Sequence, residues 1–205
     1  MFRCRVIVLV SFALACVGAC ALPRLGGVPI VRFHGEATDP VGDTARVGDP
    51  RVRRPADLVY ASVRVTDNEV RFNVRFAPGS FDPITTGVLF LLDTDIDSTT
   101  GVPGLGVGAE YAVNLEPQPV RHAHVARAVI DADCHSTPCR FEPFAKPKVV
   151  TFADAIELVV PRHAFTHFDG RANFSVVAVE RLDGGRRGAT TDQMPNFPMQ
   201  FIEVR

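Results

Sequence analysis

Short apolar segments recur along this chain, separated by Gly, Pro, Asp and Asn, and many of them alternate apolar with polar positions. A period of two sends successive side chains to opposite faces of a strand, so these segments read as half-buried strands. Nine are predicted: Leu58–Thr66, Glu69–Phe76, Gly87–Leu92, Tyr111–Leu115, Ala123–Ile130, Lys148–Phe152, Ala155–Pro161, Asn173–Arg181 and Gln200–Val204. Two connections read as hairpins. One turns at Asp67-Asn68, a pair that tolerates positive φ, and the other turns near Ala153-Asp154. Arg162–Phe168 reads as a short helical turn or a loop packed by Phe165. With no sustained helical period and no internal repeat, the pattern predicts an all-β, two-sheet antiparallel sandwich of jelly-roll type, spanning residues 37–205 as one domain.

The N-terminus changes the picture of where the protein works. Arg3 and Arg5 precede an apolar run from Val6 to Leu14 interrupted only by Ser11, then small residues and cysteines through Ala21. This is the build of a secretory signal peptide over residues 1–21, and its apolar part is shorter than the roughly 20 residues a bilayer span needs. Two processing routes fit. Ala19-Cys20-Ala21 satisfies ordinary small-x-small cleavage, whereas Val17-Gly18-Ala19-Cys20 resembles a lipobox whose Cys20 becomes lipid-modified. Residues 22–36, rich in Gly and Pro at their start, then read as a tether. Membrane contact is expected only through such an anchor.

Of five cysteines, Cys134 and Cys139 remain after the leader, with Cys20 a third if it carries lipid. Export favours a disulfide between Cys134 and Cys139, stapling the loop that contains Pro138. Removing Arg3 and Arg5 from 22 basic residues leaves 20 against 23 acidic ones. A mildly acidic chain with no basic run longer than a pair is not built for nucleic acid.

The densest chemistry follows the strand ending at Leu92. Asp93, Asp95 and Asp97 occupy alternate positions before a glycine-marked turn at Gly101. Like charges this close repel unless a cation neutralises them, and hard oxygen donors at this density suit Ca²⁺. Alternation on a strand end would put all three on one side, and Glu110, after the flexible Gly104–Gly108 stretch, could fold back to complete the shell. The site is not an EF-hand, because Ser98 and Gly104 stand where that loop needs Gly and Glu. The bland alternative is a solvated acidic turn whose aspartates cap local N–H groups. Asp39 and Asp43 flank Gly42 and offer either a second set of carboxylates or, as the better reading, an Asx-type turn.

The succession Asp39-Pro-Val-Gly-Asp43, Asp57-Leu-Val, Leu92-Asp-Thr-Asp95, Thr100-Gly101, Gly108-Ala-Glu-Tyr111, a late Leu-Val-Val-Pro161 and a final Phe-Ser-Val-Val strand resembles the DOMON and family-9 carbohydrate-binding-module group. The resemblance covers most of Asp39 to Val204. It implies an extracellular β-sandwich with structural calcium that binds sugars or, in some branches, haem. In the haem branch Met194 and Met199, with a histidine, would supply axial ligands. The chain departs from the sugar binders in having no Trp and only Tyr60 and Tyr111.

Other candidates are thinner. His122 and His124 share a strand face and His163 and His167 would align on a helix, but neither pair has a third ligand beside it. Gly104, Gly106 and Gly108 lack the spacing and following helix of a phosphate loop. Ser80, Ser98 and Ser175 stand in no Gly-x-Ser-x-Gly frame, so no catalytic motif is found. The expectation is a non-catalytic extracytoplasmic binding module with a structural calcium and a glycan or cell-envelope partner. The alternatives are a haem-binding redox module and an interaction lipoprotein with no small ligand.

Overall fold

A computed structural model describes residues 30–44, 55–104, 107–117, 122–129, 140–181, 188–196 and 201–205. Residues 1–21, read above as a signal peptide, with Cys20, the expected Cys134–Cys139 disulfide and Met199, lie outside the described residues. Within them the chain forms β1 (Val31–Thr38), β2 (Leu58–Thr66), β3 (Glu69–Phe76), β4 (Thr86–Asp93), β5 (Val102–Gly104), β6 (Val107–Ala109), β7 (Tyr111–Leu115), β8 (Ala123–Val129), β9 (Arg140–Ala145), β10 (Lys148–Thr151), β11 (Ala155–Pro161), β12 (Ala172–Arg181), β13 (Gly188–Met194) and β14 (Ile202–Val204). The one helical piece among the described residues is a 3₁₀ turn at Arg162–Ala164, which seats Phe165 in the core. No described helix is long and apolar enough to cross a membrane.

The strands make an all-β sandwich. One sheet runs β1-β2-β3-β11-β10; the other runs β13-β12-β4-β7-β8-β9, with β14 also pairing β12. Every pairing is antiparallel. The alternation in β3 shows how sequence becomes packing. Val70, Phe72, Val74 and Phe76 are buried, while Glu69, Arg71, Asn73 and Arg75 lie on the outer face. Across the interface stand Phe90 and Leu92 of β4 and Phe174 and Val176 of β12. The ring of Phe90 lies 5.2 Å from Phe72 and 6.1 Å from Phe174, so an aromatic chain runs from sheet to sheet. Burying one such side chain stabilises the fold by about 1.5–3 kcal/mol.

β4 explains its own unbroken apolar run. It lies between β12 and β7, one face against the core, and its other face carries Leu91 into a second cluster with Val107, Ala109, Ala112 and Ala126. A strand covered on both faces needs no polar alternation. This buried strand delivers Asp93 to the rim.

β14 closes a seam. It pairs with β12, and beyond it Arg205 exchanges backbone hydrogen bonds with His34 of β1 at 3.2 and 3.3 Å. The approach is so close that a Cβ at Gly35 would lie 2.3 Å from the Glu203 carbonyl oxygen, which is why glycine stands there. The reading of residues 22–36 as a tether therefore stops short: from Val31 the chain is sheet. Phe33 and Ala37 pack on the core, and Arg32 and Glu36 face out.

Candidate metal centre

Asp93 is the last residue of β4 and is fully buried, held in register opposite Asn173 of β12, whose amide donates to Asp93 Oδ2 at 3.4 Å. Glu110 sits between β6 and β7. Its backbone N–H donates to the Leu92 carbonyl at 2.9 Å, and its own carbonyl accepts from Ala128 at 2.7 Å. The backbone thus pins Glu110 beside the end of β4. One carboxylate oxygen from each of Asp93, Asp95 and Glu110 lies within 4.8 Å of the other two. Oxygens about 2.3–2.6 Å from a central ion stand at most about 5 Å apart, so this set fits around one calcium-sized cation.

The donors around these carboxylates are neutral N–H, amide and hydroxyl groups, which leave the summed charge in place. Glu110 Oε2 accepts from the Thr94 N–H at 2.7 Å and from its hydroxyl at 3.2 Å. The single Thr100 hydroxyl faces Asp95 Oδ2 at 2.9 Å and Glu110 Oε1 at 3.3 Å. One proton cannot serve both. Burial, and then the neighbouring carboxylate charges, hold Asp93 and Glu110 above the usual carboxylate range despite these hydrogen bonds. The group is under electrostatic pressure that a cation would relieve.

Asp97 does not join it. The expectation that Asp93, Asp95 and Asp97 line up assumed the strand continues, but β4 ends at Asp93 and Ile96 takes a left-handed conformation, φ 60°. Alternation stops where the extended backbone stops. The Asp97 carboxylate instead accepts from the Thr99 N–H at 3.0 Å and its hydroxyl at 2.6 Å, contacts that lower its pKa. Asp97 contributes its backbone N–H, which donates to Asp93 Oδ1 and Asp95 Oδ1 at 3.1 and 3.0 Å. Gly101, φ 63°, closes the turn, and a Cβ there would lie 2.6 Å from Glu110 Oε1.

A second acidic group, which the pattern of the sequence only half revealed, joins Asp39 and Asp43 to Asp192 of β13. Long-range bonds stand in place of the Asx-type turn expected at Asp39–Asp43. The Gly42 N–H donates not to either of them but to Asp57 Oδ2 at 2.7 Å, and the Asn196 amide bridges Asp39 Oδ1 and Asp43 Oδ2 at 2.8 and 2.6 Å. Asp192 is 1% exposed and accepts from the N–H groups of Leu58 and Gln193 at 2.6 and 2.8 Å. Burial, then the other carboxylates, push Asp39 up to about 6; for Asp192 burial outweighs the two amide bonds and the value rises to about 7. Nothing marks Asp192 in the sequence, since it lies in the polar run Gly-Ala-Thr-Thr-Asp-Gln-Met194.

The remaining candidates are not gathered. Among the described residues no histidine enters a group of three metal-ligating side chains. Met194 is 1% exposed and packs in the hydrophobic core, where it fills space between the sheets. The outer face of the first sheet carries a hollow of about 410 Å³ lined by Tyr60, Ser62, Arg64, Asn73, Arg75 and Ala155. There the Arg75 guanidinium lies 4.7 Å over the Tyr60 ring, the Tyr60 hydroxyl donates to Glu36 at 2.6 Å, and the buried Ser62 hydroxyl has no partner. Compared with protein-family models and with curated proteins, the chain matches none.

Proposed function

We propose that this chain is a non-catalytic binding module that works outside the cytoplasm, with a structural calcium ion at Asp93, Asp95 and Glu110 and a glycan as ligand. The observation that carries the cation half is the convergence of those three carboxylates on one point at the end of a buried strand, with no basic side chain paired to any of them among the described residues. The ion joins β4 to the β6–β7 connection and to the 94–101 turn. By fixing that rim in advance it lowers the ordering cost when a ligand docks. The glycan half is supported by the polar hollow on the first sheet, where Arg64, Arg75 and the Asn73 amide gather hydrogen-bond donors on one face.

Calorimetric titration of chelator-treated protein with CaCl₂, paired with melting curves, tests the first half. Calcium at 100 times its Kd stabilises by about 2.7 kcal/mol, which is about 5–11 °C in melting temperature for a domain of this size. Asp93→Asn loses the part of the gain that this centre supplies. A wild-type protein whose melting curve is the same in calcium and in chelator refutes the cation reading. A glycan array probed with wild type and Arg75→Ala tests the second half; silence of both across neutral and acidic glycans refutes it.

A further inference from the structure

We propose that Asp39, Asp43 and Asp192, with Asp57 beside them, form a second divalent-cation site that fastens the end of β1 and the start of β2 in one sheet to β13 in the other. The oxygens of Asp39, Asp43 and Asp192 fall within 4.8 Å of one another, the separation that ligands of one calcium-sized ion adopt. Asp39 and Asp43 come from the turn after β1 and Asp192 from β13, far along the chain, so no local turn accounts for the meeting of all three.

The independent sign is the state of the buried oxygens. Asp57 is 5% exposed and precedes β2; its Oδ2 takes the Gly42 N–H from the turn between Asp39 and Asp43, and its Oδ1 is buried with no donor. Asp39 Oδ2 is likewise buried with no donor. A carboxylate oxygen shut away from water without a hydrogen bond is costly, and native structures rarely keep one unless an ion or ordered water supplies the missing contact. Among the described residues no Lys, Arg or His makes an ion pair with any of the four aspartates. The donor set holds no nitrogen or sulfur, which selects a hard cation of the Ca²⁺ or Mg²⁺ class over zinc or copper. An Asn196 amide that touches two of the carboxylates and the N–H of Leu58 on Asp192 supply the outer hydrogen bonds that orient such ligands.

The site is independent of the one at Asp93, so the two stand or fall apart. Chelator-treated protein is titrated calorimetrically with CaCl₂, and separately with MgCl₂, as wild type, Asp43→Asn, Asp57→Asn and Asp93→Asn. Asp43 is exposed, so its substitution leaves the fold intact, and circular dichroism checks Asp57→Asn. Two calcium equivalents are expected for wild type. Asp43→Asn and Asp57→Asn each lose one equivalent or weaken it at least tenfold, while Asp93→Asn loses the other. A single wild-type equivalent that Asp43→Asn removes and Asp93→Asn spares also supports this site, against the first. An Asp43→Asn isotherm that superposes on wild type overturns it, as does a wild type that binds neither ion.

Discussion

Gly101 offers a way to disturb the candidate metal centre without removing a charge. Its φ of 63° lies in the left-handed region, and a Cβ added there would lie 2.6 Å from the backbone C and O of Ala109 and from Glu110 Oε1. Gly79 has a similar φ of 78° but open space, with nothing within 4 Å of a Cβ. Alanine at either position incurs the left-handed penalty of about 1–2 kcal/mol. Only at Gly101 does it also meet backbone atoms, and forcing a methyl into packed structure adds about 1–3 kcal/mol. The shared term cancels between the two variants. Gly101→Ala is therefore expected to melt about 2–12 °C below Gly79→Ala in chelator, at about 2–4 °C per kcal/mol. Because the methyl pushes on Glu110, calcium affinity falls at least tenfold in Gly101→Ala and stays at the wild-type level in Gly79→Ala. Differential scanning calorimetry and calcium titration read both effects. If the two variants melt within about 1 °C of each other and bind calcium alike, the backbone at 101 and 109 separates freely and the reasoning fails.

Two further outcomes follow from the core. Phe90 is fully buried between Phe72 and Phe174, so Phe90→Ala should lose about 3–5 kcal/mol in urea unfolding; a loss under about 1 kcal/mol would mean the sheets close over the gap. Burial holds the Glu180 carboxyl above its ordinary value of 4.5, with the Thr86 hydroxyl opposing and Asp82 adding to the rise. An acid raised in the fold keeps protons that the unfolded chain gives up, so its contribution is complete below about pH 4.5 and declines as pH climbs through the raised value. Glu180→Gln should flatten that decline in a series of melts at rising pH, and parallel wild-type and variant profiles would contradict it.

Much of the sandwich was legible because its central strands obey simple periods. The bounds of β2, β3, β7 and β11 coincide with those read from alternation, and the Asp67-Asn68 hairpin pairs Val65 with Val70 as expected. Of the four edges of the two large sheets β10 was legible and the other three were not. β13 is polar but for Ala189 and its last residue Met194, β1 offers only Phe33, Gly35 and Ala37 to the inside, and β9 contains Pro143, which a strand tolerates only where one side has no neighbour to bond. The candidate metal centre was half legible for the same reason. Local spacing nominated Asp93, Asp95 and Glu110, but it carried Asp97 along because nothing in the residues announces that the extended backbone breaks at Ile96. Asp192 could not be found at all, since its meeting with Asp39 is made by the packing of one sheet on the other, across more than 150 positions of chain.

The pairing of His34 with Arg205 makes neighbours of the two ends of the folded body. Whatever precedes β1 and whatever is attached after Arg205 must leave from the same corner. A joined and reopened chain, cut for example at the exposed turn between β2 and β3, would need only a short linker across that corner to keep both sheets. A label or fusion placed directly before Val31 or directly after Arg205 will report from one shared location, well suited to holding the module on a support.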